Sequence, residues 1–369
     1  MDAKKPARRR RIVELDLLRG YFVVVIILDH LEFWPSPLAF LSGKGYLWVT
    51  AAEGFFLISG LLVGYIRAYK GRNAPLKDLS WALLSRAAKL YLWGVAISLA
   101  IIGYTLLVGP NERLPALPPE DQMATPLLLI KYILNMQAFT DWIFFLRLYA
   151  VMLAVTPLFL WFVRRGLWWL TGLLSIAVYA LSFLQEIPEA ELQWQLLFFG
   201  AAIMGYKFED MRTWAANHLR IRTALIVALL TITALTVTAS ALIVHAPDLF
   251  EGLGLWDWYE RIQPATAEMF SNSPMMPARM ALAFVWFCGF LALFHVLRTW
   301  ISRWLGWLLM PFGTASLTAY CLQALVLPLV VTPLSPSENP WLNGLMGAGV
   351  VLLLWWLLRR PIVRRILPQ

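Results

Sequence analysis

The chain has 369 residues, of which 60% are hydrophobic and 14% are charged, and its mean hydropathy is +0.66. This composition is too apolar for a soluble protein and is typical of a chain that crosses a membrane several times. The formal net charge of +9 does not indicate nucleic-acid binding, because the basic residues lie in short clusters between apolar runs. Cys288 and Cys321 lie within apolar runs and predict neither a disulfide framework nor a metal site.

Apolar runs of roughly spanning length follow one another along the chain. They cover about residues 17–34, 46–66, 80–108, 144–163, 168–185, 192–208, 222–245, 279–297, 312–331 and 341–358. We therefore predict an all-α integral membrane protein, with about ten transmembrane helices in one bundle and a single domain over residues 1–369. Residues 125–139 are apolar but short, and two interpretations stay open: a re-entrant or interfacial segment, or an eleventh span.

The distribution of basic residues predicts the orientation of this bundle. With a cytoplasmic N-terminus, 24 of the 31 Lys and Arg fall in inner segments and 6 in outer segments, and Arg19 lies within the first span. The positive-inside rule then places both termini in the cytoplasm, with residues 1–16 as a retained basic tail. The outer connections 109–143 and 246–278 are long, and we expect them to cap an outward-facing site.

The first span carries two ionisable side chains on one helix face. Arg19 and His30 are eleven residues apart, which corresponds to about 1100° of rotation and roughly 16 Å along the helix axis. Ionisable residues are rare within lipid and usually face a polar cavity or the bundle interior, so this helix is the first place to look for function. Asp29 adjoins His30 but points about 100° away from it, and it is a candidate to bind an acceptor or to bond to the backbone.

The second span supplies a partner for His30. Glu53 shares a helix face with Gly60 and Gly64, whose spacing allows close helix packing. The first span runs outward and the second returns, so His30 and Glu53 are expected at similar depth. A carboxylate there would hold the imidazole in one tautomer and stabilise its protonated form, as a general base requires.

These motifs resemble the acyltransferase family 3 superfamily, and most closely its OpgC-like periplasmic-glucan succinyltransferases. The resemblance rests on Leu-Asp-x-Leu-Arg-Gly with ten residues between Arg19 and His30, on the Asp29-His30 pair, and on Ala-Ala-Glu-Gly-Phe-Phe-Leu-Ile-Ser-Gly from Ala51. It extends over nearly the whole chain, through weaker matches at 85–91, 148–166, 194–198 and 313–320. Many members place a histidine where this chain has Gln323, so no role is carried to that position.

The resemblance implies a multi-pass protein of the bacterial inner membrane that transfers an acyl group from cytoplasmic acyl-CoA, either succinyl-CoA or acetyl-CoA, to an extracytoplasmic carbohydrate hydroxyl. No metal is implied. Arg19 would bind a CoA phosphate, with help from Arg86 and Lys89. His30 would deprotonate the acceptor hydroxyl, and both direct transfer and a covalent acyl-histidine are compatible with the residues.

Each assignment has a structural alternative. Arg19 can be a snorkelling side chain paired with Asp16, and His30 an interfacial histidine bonded to backbone. Glu53 can belong to an interhelical hydrogen-bond network. Arg86 and Lys89 can be topology determinants, and Arg147 can form a local ion pair. His218, His245 and His295 can be interfacial residues. Most tryptophans can form interfacial belts, whereas Trp256 and Trp258 are candidates for sugar stacking.

Two other functions remain open on the sequence alone. In a secondary transporter, Arg19, His30 and Glu53 would form a substrate or proton pathway, but neither broken-helix pairs nor internal repeats are apparent in the sequence. A non-catalytic membrane subunit would tolerate substitution of His30. The motif favours the acyltransferase.

Overall fold

The bundle is built from helices that coincide with the predicted apolar runs. The structure, a computed structural model, describes residues 12–109, 111–184 and 190–368, so most of the predicted basic tail lies outside the described residues. We number the bundle helices α1 (Val13–Leu31), α2 (Ala51–Val63), α3 (Leu76–Val108), α4 (Phe144–Arg164), α5 (Trp168–Ser182), α6 (Ala190–Tyr206), α7 (Leu219–His245), α8 (Pro277–Val296), α9 (Gly306–Thr314), α10 (Ser316–Val331) and α11 (Pro340–Leu358).

Within the described residues, six helices are long and apolar enough to cross a membrane: α2 with its continuation to Tyr69, α3, α4, α7, α8 and α11. The pair α9 and α10, bent by 93°, makes a seventh if it is one span. Among the other predicted spans, α1 carries Glu14, Asp16, Arg19 and Asp29, and α5 and α6 have 15 and 17 residues. The protein is therefore an all-helical membrane protein, and the count of ten spans stays a prediction.

The short apolar stretch at 125–139 forms a helix, Pro126–Leu134, of nine residues. At 1.5 Å per residue this helix is about 14 Å long, less than half the hydrocarbon thickness of a bilayer. Thr125 caps it by accepting a hydrogen bond from Leu128 N, and Pro126 at its first position suits a helix start. The stretch is thus a non-spanning helix.

Helix α1 lies at the centre of the bundle, in contact with α2, α8, α9, α10 and α11. Its approach to α9 requires glycine on both sides. A Cβ atom on Gly20 would lie 2.0 Å from the carbonyl oxygen of Leu309, and one on Gly313 would lie 1.7 Å from that of Asp16. Both glycines belong to the motifs of the sequence resemblance, and each is required where two backbones touch.

Helices α2 and α6 make the close contact that the glycine spacing predicts. A Cβ on Gly60 would lie 2.2 Å from the carbonyl oxygen of Phe198, and one on Gly64 would lie 1.9 Å from that of Ala202. After Gly64 the helix continues as a π-helical segment to Tyr69. The small-residue packing face is confirmed.

The connections on the side where α1 ends, which we call the His30 end, are partly helical. Residues 246–278 contain the helices Pro247–Gly252 and Trp256–Met269. His245 Nε2 lies 2.7 Å from the carbonyl oxygen of Gly43, and Trp48 N donates to Ser240 Oγ. These bonds hold the connection between α1 and α2 against the end of α7.

Candidate functional site

A cavity of about 500 Å³ opens at the His30 end between α1, α2, α4, α8 and α10. Its volume is that of a small-molecule site. All three predicted catalytic residues, Asp29, His30 and Glu53, lie in its wall. The other polar lining residues are Glu32, Lys44, Tyr46, Thr50, Asp141, Trp194, Asn272, Ser273, Arg279 and Tyr320.

His30 meets α10 through one side-chain contact. Its Nδ1 atom lies 3.3 Å from Nε2 of Gln323, which is fully buried. His30 itself is half-buried, since part of its ring faces the cavity. One ring nitrogen is thus held by the protein, and the opposite edge is left for a ligand.

Glu53, expected to form a dyad with His30, makes its hydrogen bonds to other residues. Glu53 Oε2 accepts hydrogen bonds from Thr50 N and Thr50 Oγ1, at 3.0 and 2.6 Å, in the capping box that begins α2. Glu53 Oε1 accepts from Nε and Nη2 of Arg279, at 2.6 and 2.5 Å. Both oxygens of Glu53 therefore bond to residues that have a structural role. The side chain that contacts the His30 imidazole is Gln323.

Asp29 lies in the cavity wall beside the turn that leads to α2. One carboxylate oxygen bonds to the Ser42 side chain, while Oδ1 is buried without a hydrogen-bond partner among the described residues. Gly45, with φ +76°, passes close to this carboxylate, and a Cβ there would lie 3.4 Å from Asp29 Cγ. Asp29 therefore lines the cavity with one carboxylate oxygen that no described protein group satisfies.

Arg19 lies outside this cavity, toward the other end of α1. Its guanidinium is 5.7 Å from the ring centroid of Phe55, and its Nε is buried without a hydrogen-bond partner among the described residues. Arg86 on α3 is an electrostatic neighbour of Arg19, as is Asp16, and its Nε is buried and equally unpartnered. Lys89, one turn further along α3, is exposed.

An aromatic partition, formed by Phe55, Phe145 and Tyr320, separates Arg19 from the cavity. Phe145 and Tyr320 line the cavity floor, with ring centroids 5.4 Å apart. The Phe55 ring centroid is 4.5 Å from that of Phe145 and 6.3 Å from that of Tyr320, and Phe55 is also the ring that the Arg19 guanidinium contacts. The two predicted binding regions on α1 are thus distinct, and Phe55 links Arg19 to the two rings that line the cavity.

Arg113, in the long connection between α3 and α4, ties two helix ends together. It donates to the carbonyl oxygen of Leu31 at 2.6 Å, and also to those of Val331 and Leu334. Burial lowers the pKa of Arg113 from its usual value, and the nearby Glu32 carboxylate opposes this shift. The helices that carry His30 and Gln323 are held at their ends by one guanidinium.

The other sequence candidates have structural partners. Arg147 forms an ion pair, as the structural alternative predicts, and the carboxylate that it contacts is that of Glu191. His295 lies 3.3 Å from Glu14, and His218 bonds to the carbonyl oxygen of Trp214. The tryptophans proposed for sugar stacking, Trp256 and Trp258, are half-exposed on the 256–269 helix and outside the lining of the cavity.

A family model described as OpgC protein matches residues 11–362. The chain belongs to the OpgC family. The match covers almost all of the helical bundle, including both glycine contacts and the whole cavity lining, and it confirms the sequence resemblance at the family level. No curated protein and no solved structure matches the chain.

Membership of the OpgC family suggests a glucan-modifying acyltransferase role and a carbohydrate acceptor. The cavity of this OpgC protein is lined by groups suited to such chemistry: an imidazole held on one side, a carboxylate with one unpartnered oxygen, and an exposed tyrosine, Tyr46. Among the described residues, no group of three or more His, Cys, Asp or Glu is arranged to hold a metal ion.

Proposed function

We propose that this OpgC family member is an O-acyltransferase of the bacterial inner membrane that moves a succinyl or acetyl group from cytoplasmic acyl-CoA to a hydroxyl of an extracytoplasmic glucan. His30 acts as the general base. The observation that carries the proposal is the position of His30, whose ring is held by Gln323 and faces a cavity of about 500 Å³.

The donor site is assigned to the region of Arg19 and Arg86. Two guanidinium groups that lie near each other with buried, unpartnered Nε atoms form an environment that favours a phosphate. Lys89 adds a positive charge at the exposed rim. Arg19 and His30 are separated by eleven residues, roughly 16 Å along α1, comparable to the arm between the phosphates and the thioester of CoA.

The acceptor site is assigned to the cavity. Asp29, with its free oxygen, accepts a hydrogen bond from a sugar hydroxyl, and Tyr46, 65% exposed, offers a ring for a sugar face. His30 takes the proton of the attacking hydroxyl as the oxygen bonds to the thioester carbon. The carbon–sulfur bond breaks, and the CoA thiolate leaves and recovers the proton from His30.

Vesicles that contain the purified protein test this function with labelled succinyl-CoA and acetyl-CoA and extracted envelope glucan. We expect label on the glucan, a loss of about 10²–10⁴-fold in His30→Ala, and unchanged transfer in His218→Ala, an exposed histidine far from the cavity. Absence of transfer by the wild-type protein would overturn the acyltransferase proposal. Equal transfer by His30→Ala would overturn the base while leaving the acyltransferase in place.

A further inference from the structure

The carboxamide of Gln323 is a buried polar group, and it contacts the ring of His30. Gln323 is fully buried on α10, its Nε2 lies 3.3 Å from His30 Nδ1, and its Oε1 is buried without a partner among the described residues. Burying an amide costs free energy unless its hydrogen bonds are made. Leucine or methionine would fill the same space at no such cost, so the contact with His30 is what the amide contributes.

The contact controls which nitrogen of His30 carries the proton. An amide nitrogen can only donate, so in the observed orientation Nδ1 accepts and the proton is on Nε2. A half-turn of the carboxamide presents Oε1 instead, which accepts from Nδ1–H and leaves the lone pair on Nε2. A base that removes the proton of a hydroxyl in the cavity needs the second arrangement, because the lone pair must then be on Nε2, the ring nitrogen away from Gln323.

We propose that Gln323 is the positioning residue of His30: its Oε1 holds the Nδ1–H proton and so directs the basic Nε2 into the cavity. This inference rests on the proposed function. It gives to a neutral amide the part that the sequence assigned to Glu53, whose two oxygens are already bound by Thr50 and Arg279. A neutral partner fixes the tautomer without adding negative charge beside the imidazole.

The charge around His30 then comes from the remaining cavity wall. The titratable and charged groups that face the cavity from the packed elements are Asp29 and Glu32 from α1 and its end, Lys44 and Tyr46 from the turn before α2, Glu53 from α2, Asp141 before α4, Arg279 from α8 and Tyr320 from α10. Since Arg279 neutralises Glu53, a new carboxylate at position 323 would be a strong local change.

Three variants of α10 test the proposal. Gln323→Met keeps the volume and removes the hydrogen bond, Gln323→Glu replaces the amide by a carboxylate, and Cys321→Ala is a control, a change at another buried position on the same helix. We expect kcat/KM to fall by about 10- to 100-fold in Gln323→Met, a part of what a positioned base contributes, and to change less than about twofold in the control. Thermal unfolding of each variant verifies the fold.

The pH profile separates positioning from packing. A carboxylate beside the ring favours the protonated imidazole, so in Gln323→Glu the acidic limb of kcat/KM moves to higher pH by about one unit or more, while in Gln323→Met it does not move upward. The same shift is expected in the pH dependence of His30 modification by diethyl pyrocarbonate, which attacks neutral imidazole and is located by mass spectrometry. This second readout needs no turnover.

The outcomes distinguish the two proposals. If the wild-type protein shows no transfer, the acyltransferase proposal is overturned. If the modification profile of His30 is nevertheless shifted in Gln323→Glu, the contact between Gln323 and His30 is supported. Full activity of Gln323→Met alongside an inactive His30→Ala overturns the positioning role. Identical pH profiles of the wild-type protein and a folded Gln323→Glu also overturn it.

Discussion

Arg279 on α8 holds the carboxylate of Glu53 on α2, with Nε and Nη2 at 2.6 and 2.5 Å from Oε1. Both side chains are almost fully buried, and Arg279 also donates to the carbonyl oxygen of Phe270. The pair therefore joins the start of α2, the start of α8 and the connection before α8 in one network. Because both residues line the cavity that His30 also lines, the pair fixes the shape of that part of the wall.

Breaking this pair on one side is expected to destabilise the protein strongly. Glu53→Leu or Arg279→Met alone leaves a buried charge without its partner, at a cost of about 3–5 kcal/mol. The double variant Glu53→Leu with Arg279→Met removes both charges and should recover much of that loss. Thermal unfolding in detergent measures the coupling through a double-mutant cycle, and additive effects would contradict the pairing.

The contact between α1 and α9 predicts that Gly20 does not tolerate alanine. A Cβ would meet the Leu309 carbonyl oxygen at 2.0 Å, so Gly20→Ala must push the two helices apart. Gly103, an exposed helical glycine on α3 with nothing within 4 Å of an added Cβ, is the matched control. We expect Gly103→Ala to be neutral or to stabilise by up to about 1 kcal/mol, and Gly20→Ala to lower the yield of folded protein. Equal melting temperatures for the two variants would refute the contact.

The three basic residues assigned to the donor predict graded effects. Arg19→Gln and Arg86→Gln should raise the KM for acyl-CoA by about tenfold or more, since each charge-assisted hydrogen bond is worth about 1.5–3 kcal/mol, with little change in the KM for glucan. Lys89→Gln should have a smaller effect because this side chain is exposed. Initial rates over both substrate concentrations measure these constants. A rise in the glucan KM alone would place Arg19 with the acceptor.

Arg113 predicts a long-range effect on activity. Arg113→Gln removes donors from the carbonyl oxygens of Leu31, Val331 and Leu334, so the ends of α1 and α10 lose their common tie. We expect a loss of about 2 kcal/mol in stability and a fall in kcat as His30 and Gln323 lose their alignment. Lys131→Ala, an exposed change in the same connection, should alter neither, and kcat measured with both variants decides the point.

Local patterns were enough to predict helices α1 and α2 and the close packing at Gly60 and Gly64, because helix periodicity alone fixes which residues share a face. The partners of His30 and Glu53 were not predictable in this way. Gln323 and Arg279 lie 293 and 226 residues further along the chain, and only tertiary packing brings them to the cavity. Their similar predicted depth suggested Glu53 as the partner of His30. In the structure, the Glu53 carboxylate instead accepts hydrogen bonds from Thr50 and Arg279.

One signal in the sequence does point to Arg279. It is one of six basic residues that fall on the outer side in the predicted topology, the others being Lys44, Arg113, Lys131, Arg147 and Arg261. Three of the six, Arg113, Arg147 and Arg279, bond to groups on other elements of the bundle. A basic residue that opposes the topological rule needs a local reason to be there, and in these three the reason is a specific acceptor.

The aromatic partition makes a last prediction, about how well transfer is coupled. Phe55, Phe145 and Tyr320 separate the Arg19 region from the cavity, so a thioester that passes them meets the acceptor with little water beside it. Phe55→Leu shrinks the middle of the partition. We expect release of free CoA thiol without acceptor to rise several-fold relative to label on glucan.

Phe199→Leu supplies the comparison, because Phe199 is a buried aromatic residue of α6 that packs on Phe159 and Phe198, outside the lining of the cavity. It loses a similar volume, so a general loosening of the bundle would raise hydrolysis in both variants. A rise confined to Phe55→Leu assigns the effect to the partition. An unchanged ratio of thiol release to glucan labelling in a folded Phe55→Leu would mean that these rings pack the core but do not keep water from the acyl group.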